Sequence, residues 1–478
     1  MASTLESAIE SNPHFVALVC QLSALTSAVS GPADKFETYE ATGLTVSNLI
    51  VRAMLKNKLQ AVSDGLGEEV LIDGDRFRRH QEGKVAYHSL CGSLEVQRYS
   101  YRRCGERNGA TVIPLELTCS LVERATPALS YSVTLGYAQG ELRGYAEGLD
   151  AAHRALPSRS TLERMGKALG TEAKEQAPKI EAVLRQTEQL PEGTHAISMG
   201  LDRVAVPMEE DREKDSPGNT RRKKRTEPYE RTPPTPVDVN YRMAYVGTVS
   251  MVNDEGEALI TRRYTALPDA EPDEVVKRVM EDVLNGLRQN GELNVGVVQD
   301  GAPEMWNAMG RGLRAAGVEQ WTEGIDRYHL DERLAAALQL IEPNASVRKG
   351  LLTFWNADLD SSDEAIDRIQ AWLGEKVDKV KGHESEGKYL GHLVYLENNQ
   401  ARMRYLTIKQ KGLPIGSGVT EGACKSVVGQ RARGSGQRWR TVGLSAALTL
   451  RAIHRSERLP GFWAELAKGY SAEIRNVA

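Results

Sequence analysis

Three acidic residues stand in sequence settings that a metal-dependent reaction requires. They are Asp202 in Ala-Ile-Ser-Met-Gly-Leu-Asp, Asp300 in Val-Gly-Val-Val-Gln-Asp-Gly, and Glu421 in Gly-Ser-Gly-Val-Thr-Glu-Gly-Ala-Cys-Lys. The first two interrupt or end apolar alternating runs that read as buried strands, and the third opens a helix-like segment. A carboxylate within a buried strand is costly unless it is paired or metal-bound. Oxygen ligands carried by two strands and a helix suit a cage for two divalent cations acting on a phosphodiester. Each residue also has a plainer reading. Asp300 suits the cap of a turn or of the next helix. Glu421 suits a first-turn glutamate favoured by the helix dipole, with Ser417 as its N-cap.

Bulk properties bound the setting. The chain has 478 residues, with 61 Lys and Arg against 65 Asp and Glu, for a net charge of -4. That length accommodates roughly two to four domains at about 100–200 residues each. The charge does not announce nucleic-acid binding by the whole chain, but phosphate contact needs only a local basic track. The five cysteines, Cys20, Cys91, Cys104, Cys119 and Cys424, are scattered without a CxxC. They form neither a disulfide framework nor a zinc site, and a reducing cytoplasm is the natural expectation. No apolar run is long enough for a membrane span, and the acidic start lacks the basic region of a signal peptide.

The elements that would position these residues follow from periodicity. Residues 1–65 read as a helical region, with apolar residues at helical spacing around Val16–Leu25 and Val46–Val62. Residues 66–120 read as a β-hairpin region, with alternation in Lys84–Tyr87 and Leu94–Tyr101 around Cys91 and Gly92. Arg78, Arg79, Arg98, Arg102 and Arg103 decorate it, and with the helices around it the hairpin reads as an N-terminal mixed helical and β-hairpin DNA-binding region. Residues 121–190 return to helix. There Pro157-Ser158-Arg159 breaks the pattern and Ser160 to Glu163 fits a capping box, so the segment reads either as a helix-turn-helix-like DNA-binding unit or as a connector.

From residue 191 the strand signals strengthen. In Ala196–Val206, Ile197, Met199 and Leu201 face one way, and Ala196, Ser198, Gly200 and Asp202 face the other. A polar insertion, 207–236, carries Arg221 to Arg225 and four later prolines, and reads as a mobile basic loop. Strands at Tyr241–Val252 and Ala258–Ala266, a helix at Asp273–Gln289, a strand at Leu293–Gln299, a helix opening at Pro303 and a strand at Gly324–Tyr328 complete residues 191–330. Three antiparallel strands, helix, strand, helix, strand is the layout of a ribonuclease H-like α/β core. Residues 331–411 read as a helical insertion exposing Arg402, Arg404, Lys409 and Lys411, and residues 412–478 as C-terminal helices completing the core.

Four strings then carry a resemblance: Gly200-Leu-Asp-Arg-Val-Ala-Val-Pro207, Gln299-Asp-Gly-Ala-Pro-Glu304, Tyr328-His-Leu-Asp-Glu332, and Gly416-Ser-Gly-Val-Thr-Glu-Gly-Ala-Cys-Lys425 with Gly436-Gln-Arg-Trp439. Together they resemble the DDE transposases of bacterial insertion sequences, most closely the ISKra group, over residues 68 to 456. The resemblance implies DNA end cleavage and strand transfer, with Asp202, Asp300 and Glu421 as catalytic, metal-holding residues. It implies two Mg2+ ions, with Mn2+ as a substitute: Asp202 bridging both, Asp300 and Glu421 each holding one. Asp326 and His329 resemble a C/D-x-x-H element that supports the metals from alongside. His329 equally suits a core histidine.

Lys425, Gln430, Arg431, Arg433, Arg438 and Trp439 form a candidate DNA-binding track, guanidinium groups for phosphate and an indole for stacking; Trp439 alternatively anchors the last helix. The expected partners are double-stranded DNA, at element ends and target, and a second copy of the chain as a homodimer on DNA. No membrane partner is expected, and the location implied is the bacterial cytoplasm at the nucleoid. One departure from the family pattern is that Cys104 stands alone, where similar proteins carry paired cysteines. Two other functions stay open: a hydrolytic nuclease or resolvase on the same core, and a non-catalytic DNA-binding protein derived from a transposase.

Overall fold

A computed structural model describes residues 13–30, 35–106, 109–211, 237–266 and 271–477. The basic run Arg221 to Arg225 and most of the expected 207–236 loop lie outside the described residues. The chain is mixed α/β, and it divides into two compact units, residues 1–169 with 463–478, and residues 170–462.

The first unit begins with the helices Pro13–Ser30 and Phe36–Asp64. The first of these contains no Asp, Glu, Lys or Arg. Apolar side chains nevertheless stay exposed along the pair, including Val19, Leu25, Val29, Phe36 and Met54. A five-stranded sheet follows, built from β1 (Glu69–Ile72), β2 (Asp75–Ser89), β3 (Gly92–Arg103), β4 (Thr111–Val112) and a terminal strand, Ile474–Asn476. The terminal strand pairs antiparallel with β1, so residues 463–478 belong to this unit and not to the helices expected to complete a core. The anticipated hairpin is β2–β3, pairing from Ser89↔Gly92 to Phe77↔Arg103 with a bulge between Arg79 and Gln81. Leu94, Val96 and Tyr101 bury its inner side against Leu59, Val70 and Leu115. The helix at 159 opens one residue before the expected box. Ser158, not Ser160, offers its hydroxyl to a first-turn amide, that of Thr161 at 3.4 Å.

The second unit holds a sheet in the order β7-β6-β5-β8-β9, where β5 is Ala196–Asp211, β6 Val237–Val252, β7 Ala258–Ala266, β8 Asn294–Gln299 and β9 Thr322–Ile325. β5, β6 and β7 run antiparallel, whereas β8 lies parallel to β5 and β9 parallel to β8. Parallel neighbours need crossover connections, and the helices Pro272–Gln289 and Pro303–Ala315 supply them. Each has proline in its first turn, where the missing N–H costs nothing. Val275, Val276, Val279, Met280 and Val283 form the buried stripe of the first, packed with Ile197, Met199 and Leu201 of β5. On the other face, Val206 and Met208 meet Ala423, Cys424, Val427, Leu444 and Leu448. The period of two in β5 therefore serves two cores at once.

Two strand ends differ from expectation. β5 continues through residues 207–211, paired with β6 as far as Asp211↔Val237, because cross-strand pairs such as Glu210 with Arg242 (2.6 Å) extend the hairpin. β9 stops at Ile325, since Asp326 caps the helix Arg327–Ile341 by accepting from the His329 amide. Tyr328 is thus an exposed helical residue. Residues 331–411, expected to be helical, include the helices Ala345–Ser361, Ala365–Gly374, Glu386–Asn399 and Tyr405–Gln410. The basic residues expected to be exposed there are engaged within the unit: Arg402 with Glu323 (2.6 Å), Arg404 with Asp367 (2.9 Å), Lys409 with Asp360 (3.0 Å) and Lys411 with Thr322 (2.9 Å). No described helix is long and apolar enough to cross a membrane.

Candidate metal centre

Strand register brings two aspartates level. β5 and β8 pair up to Met199↔Val297, and β8 and β9 up to Gln299↔Ile325. Carried on by one residue, the β8–β9 register sets Asp300 beside Asp326, and Asp202 lies three residues past the last β5–β8 pair. Asp300 and Asp326 therefore follow the carboxyl ends of β8 and β9, the edge of an open α/β sheet where ligands bind, while Asp202 lies within β5, which continues to Asp211. The backbone keeps this order at the last step, since the Asp326 amide donates to the Gln299 carbonyl at 3.1 Å.

Glu421 reaches the same edge from the helix Gly418–Ala423. That helix lies close on β5 because position 200 is glycine: a Cβ there would stand 3.1 Å from the Thr420 Cβ and 3.0 Å from the Val298 carbonyl oxygen. Thr420 shares a buried 2.7 Å hydrogen bond with Thr248 of β6, which fixes the helix axially. Directly after it the chain widens into a π-helical turn, Cys424–Gly429. Such bulges often occur at functional sites. Here the turn lets Cys424, Val427 and Val428 all face the sheet.

Among the described residues, Asp326, His329 and Glu421 form the group of three whose ligand atoms all lie within 4.8 Å of one another, and that group is able to hold a metal ion. The sequence expectation had placed the ions on Asp202, Asp300 and Glu421. Asp326 and His329, read as supporting residues, are inside the cluster, while Asp202 and Asp300 do not join it. Both of those carboxylates have hydrogen-bond donors of their own. Asp202 accepts from the Arg203 amide at 2.6 Å and from the Cys424 thiol at 3.3 Å. Asp300 accepts from the Ala302 amide at 3.0 Å, ahead of the helix beginning at Pro303, as its capping alternative anticipated.

Asp326 is buried, His329 half-buried and Glu421 exposed. One oxygen of Asp326 faces the His329 amide (2.9 Å) and ring Nδ1 (3.1 Å); the other accepts from the Ser417 amide (2.5 Å) and faces its hydroxyl (2.9 Å). Burial by itself would raise the Asp326 carboxyl, but the Ser417 and His329 amides outweigh it and hold the group below the usual carboxylate range. The Ser417 hydroxyl also lies 2.9 Å from Glu421 Oε1. One hydroxyl carries one proton. It faces two carboxylate oxygens at equal distance, and the Asp326 oxygen has a further donor in the Ser417 amide. Ser417 was expected as a helix cap; its side chain makes no cap bond and links Asp326 to Glu421 instead.

Cys424 is the residue sequence reasoning missed. Burial first, then the Asp202 carboxylate, push its thiol far above its ordinary value, so it remains protonated and donates to Asp202. The available signal was its position one helical turn after Glu421. Tyr395, from the helix Glu386–Asn399, also borders the site. Its ring covers Gly301 so closely that no side chain fits there. Burial foremost raises its phenol, and the neighbouring Asp300 and Asp326 carboxylates act in the same direction. Arg333 stacks on that ring at 4.7 Å.

The proposed DNA track divides in two. Lys425, Gln430, Arg433 and Arg438 are exposed. Arg431 is buried, with its guanidinium 4.7 Å over the Trp439 ring. The Trp439 indole donates to the Ala432 carbonyl at 3.2 Å, and its backbone bonds to Pro207 and Glu209, filling the edge of β5 that β8 leaves open. Arg431 and Trp439 are therefore packing groups, which is the anchoring alternative for Trp439. Compared with protein-family models and with curated proteins, the chain finds no match in either.

Proposed function

We propose that this protein is a divalent-metal-dependent enzyme that cleaves and joins DNA, a DDE-type transposase of an insertion sequence resembling the ISKra group, on a ribonuclease H-like core. The observation that carries this reading is the gathering of Asp326, His329 and Glu421 into one group able to hold a metal ion, with Ser417 between the two carboxylates. The sheet order, with three antiparallel strands followed by two parallel ones, supports the core assignment.

Asp326, His329 and Glu421 are the residues that would hold the first ion, and Asp202 and Asp300 flank the place for a second. Mg2+ suits the carboxylates, and Mn2+ suits carboxylate and water ligands equally. Bound cations of this kind lower the pKa of a water or hydroxyl and stabilise the leaving oxygen. The chain's own groups prepare that chemistry. The Ser417 and His329 amides keep Asp326 ionised, and the Cys424 thiol orients Asp202 toward the helix carrying Glu421. Exposed Lys425, Gln430, Arg433 and Arg438 are available to DNA phosphates along the same stretch of chain. Double-stranded DNA is the partner, placing the protein at the nucleoid in the cytoplasm. A second copy is the natural cover for Val19, Leu25 and Val29, exposed apolar residues of the helix Pro13–Ser30.

The test uses purified full-length protein and duplexes taken from the DNA flanking the reading frame. Wild type should cut them only with Mg2+ or Mn2+, and join a pre-cut 3′ end to target DNA. Glu421→Gln, Asp326→Asn, Asp202→Asn and Asp300→Asn should each abolish both steps while retaining DNA binding. Cleavage without joining would favour a hydrolytic nuclease. Undiminished cleavage by both Glu421→Gln and Asp326→Asn would sink the proposal.

A further inference from the structure

The first unit carries a second charged site that the metal centre does not use. On the β2–β3 sheet, an open cavity of about 420 Å³ is lined by Arg76, Arg78, Arg79, His80, Arg102 and Arg103, together with the carboxylate of Glu69. Arg78 and Arg102 lie directly opposite each other in register. Like charges placed this way are destabilising. The carboxylates nearby do not balance the set. Arg76 and Arg78 share a single one, Glu69, with Nε distances of 2.5 and 2.8 Å. Arg79 pairs with Glu68 at 2.8 Å and lies over the Tyr99 ring at 3.7 Å; Arg103 pairs with Asp75 at 2.6 Å and Glu106 at 3.2 Å. Arg102 has no ion pair among the described residues, and its Nε is buried without a hydrogen-bond partner. Five guanidinium groups thus meet four carboxylates, and the unmatched one sits across from a like charge.

An anion that accepts from Arg78 and Arg102 together would relieve that repulsion and satisfy the open donors. Phosphate oxygens do this bidentately with guanidinium groups. The donors are spread over more than one such anion's reach, about 7 Å apart along β2 between Arg76 and Arg78 and about 5 Å across to Arg102. The lining offers no apolar anchor of the kind a peptide or protein partner needs at its hot spot. We propose that this arginine face is a docking surface for the phosphodiester backbone of duplex DNA. It is separate from the metal centre and stands whether or not that centre cleaves DNA.

The experiment measures binding of a fluorescein-labelled duplex to the full-length protein by anisotropy, across a salt series and without divalent metal. Arg102→Gln removes no ion pair, so the fold should be kept, and circular dichroism with a melting curve checks this. The slope of log affinity against log salt should become shallower by about one, and by about two when Arg78→Gln is added, with affinity down about tenfold in the double variant. Arg102→Lys should keep the wild-type slope. Inorganic phosphate should compete only far above the concentration at which unlabelled duplex does. Unchanged affinity and slope in folded Arg102→Gln would overturn the proposal. So would phosphate competing as well as duplex, which would mark a site for a free anion. Glu421→Gln should leave every one of these readings unaltered, so failure of the metal reading and failure of this one are separable.

Discussion

Gly200→Ala tests the closest approach of strand and helix at the candidate metal centre. Gly200 precedes Asp202 by two residues on the same face of β5 and lies under Thr420, the neighbour of Glu421. The added Cβ would meet the Val298 carbonyl oxygen at 3.0 Å and the Thr420 Cβ at 3.1 Å, with the Thr420 hydroxyl nearer still. Val298 is backbone of a strand held on both sides, so the helix Gly418–Ala423 must yield. Restoring ordinary carbon contact of ~3.5–4.0 Å shifts it by on the order of 0.5–1 Å. Overpacking of this kind costs about 1–3 kcal/mol, and disturbing the buried Thr248–Thr420 bond adds about 1 kcal/mol. Reduced freedom of the unfolded chain offsets about 0.4–1 kcal/mol. The net expectation is a loss of about 1–3 kcal/mol in urea denaturation. Metal ligands tolerate about 0.2 Å, so calorimetric Mn2+ affinity should fall about tenfold or more. Adding Thr420→Ala removes the nearest atom and should recover part of both losses, a coupling of about 0.5 kcal/mol or more. If Gly200→Ala keeps wild-type stability within about 0.5 kcal/mol together with wild-type Mn2+ affinity, the packing argument is refuted.

Two further outcomes follow from the charges. Asp282 is buried and accepts from Tyr264, from Arg458 at 2.8 Å and from Arg185 at 3.5 Å. Asp282→Ala would leave two buried guanidinium groups short of a partner, at about 3–5 kcal/mol. A thermal melt showing a loss under about 1 kcal/mol would mean that Glu188 and Glu281, their other partners, suffice. The folded Asp326 carboxyl titrates below its unfolded value. Its stabilising contribution is therefore complete above that unfolded value and disappears as pH falls through the folded one. In metal-free buffer, the stability gap between wild type and Asp326→Asn should close as pH drops below about 4. A gap that stays constant with pH would remove Asp326 as the group responsible.

Much of the second unit was legible because its signals are local. The alternation around Asp202, the stripe Val276–Met280–Val283 and the proline at 303 each report a neighbour two to four residues away, and each element lies where they indicate. Boundaries set by partners were not legible. β5 runs on to Asp211 because β6 pairs it, and the strand Ile474–Asn476 exists because β1 offers an edge some four hundred residues earlier. The candidate site divides in the same way.

The sequence by itself determined which carboxylates stand at strand ends and at a helix start, since side-chain periodicity and turn residues are written within a few positions of each. Only the tertiary structure decided which of them converge. Ser417 bridges Asp326 to Glu421 across 91 and 4 residues, and Cys424 draws Asp202 to a helix 222 residues away. Arg431 and Trp439 turn inward for the same reason. A guanidinium reads alike in sequence whether it will face phosphate or an indole, and only the packing of distant elements removes the water that tells the two apart.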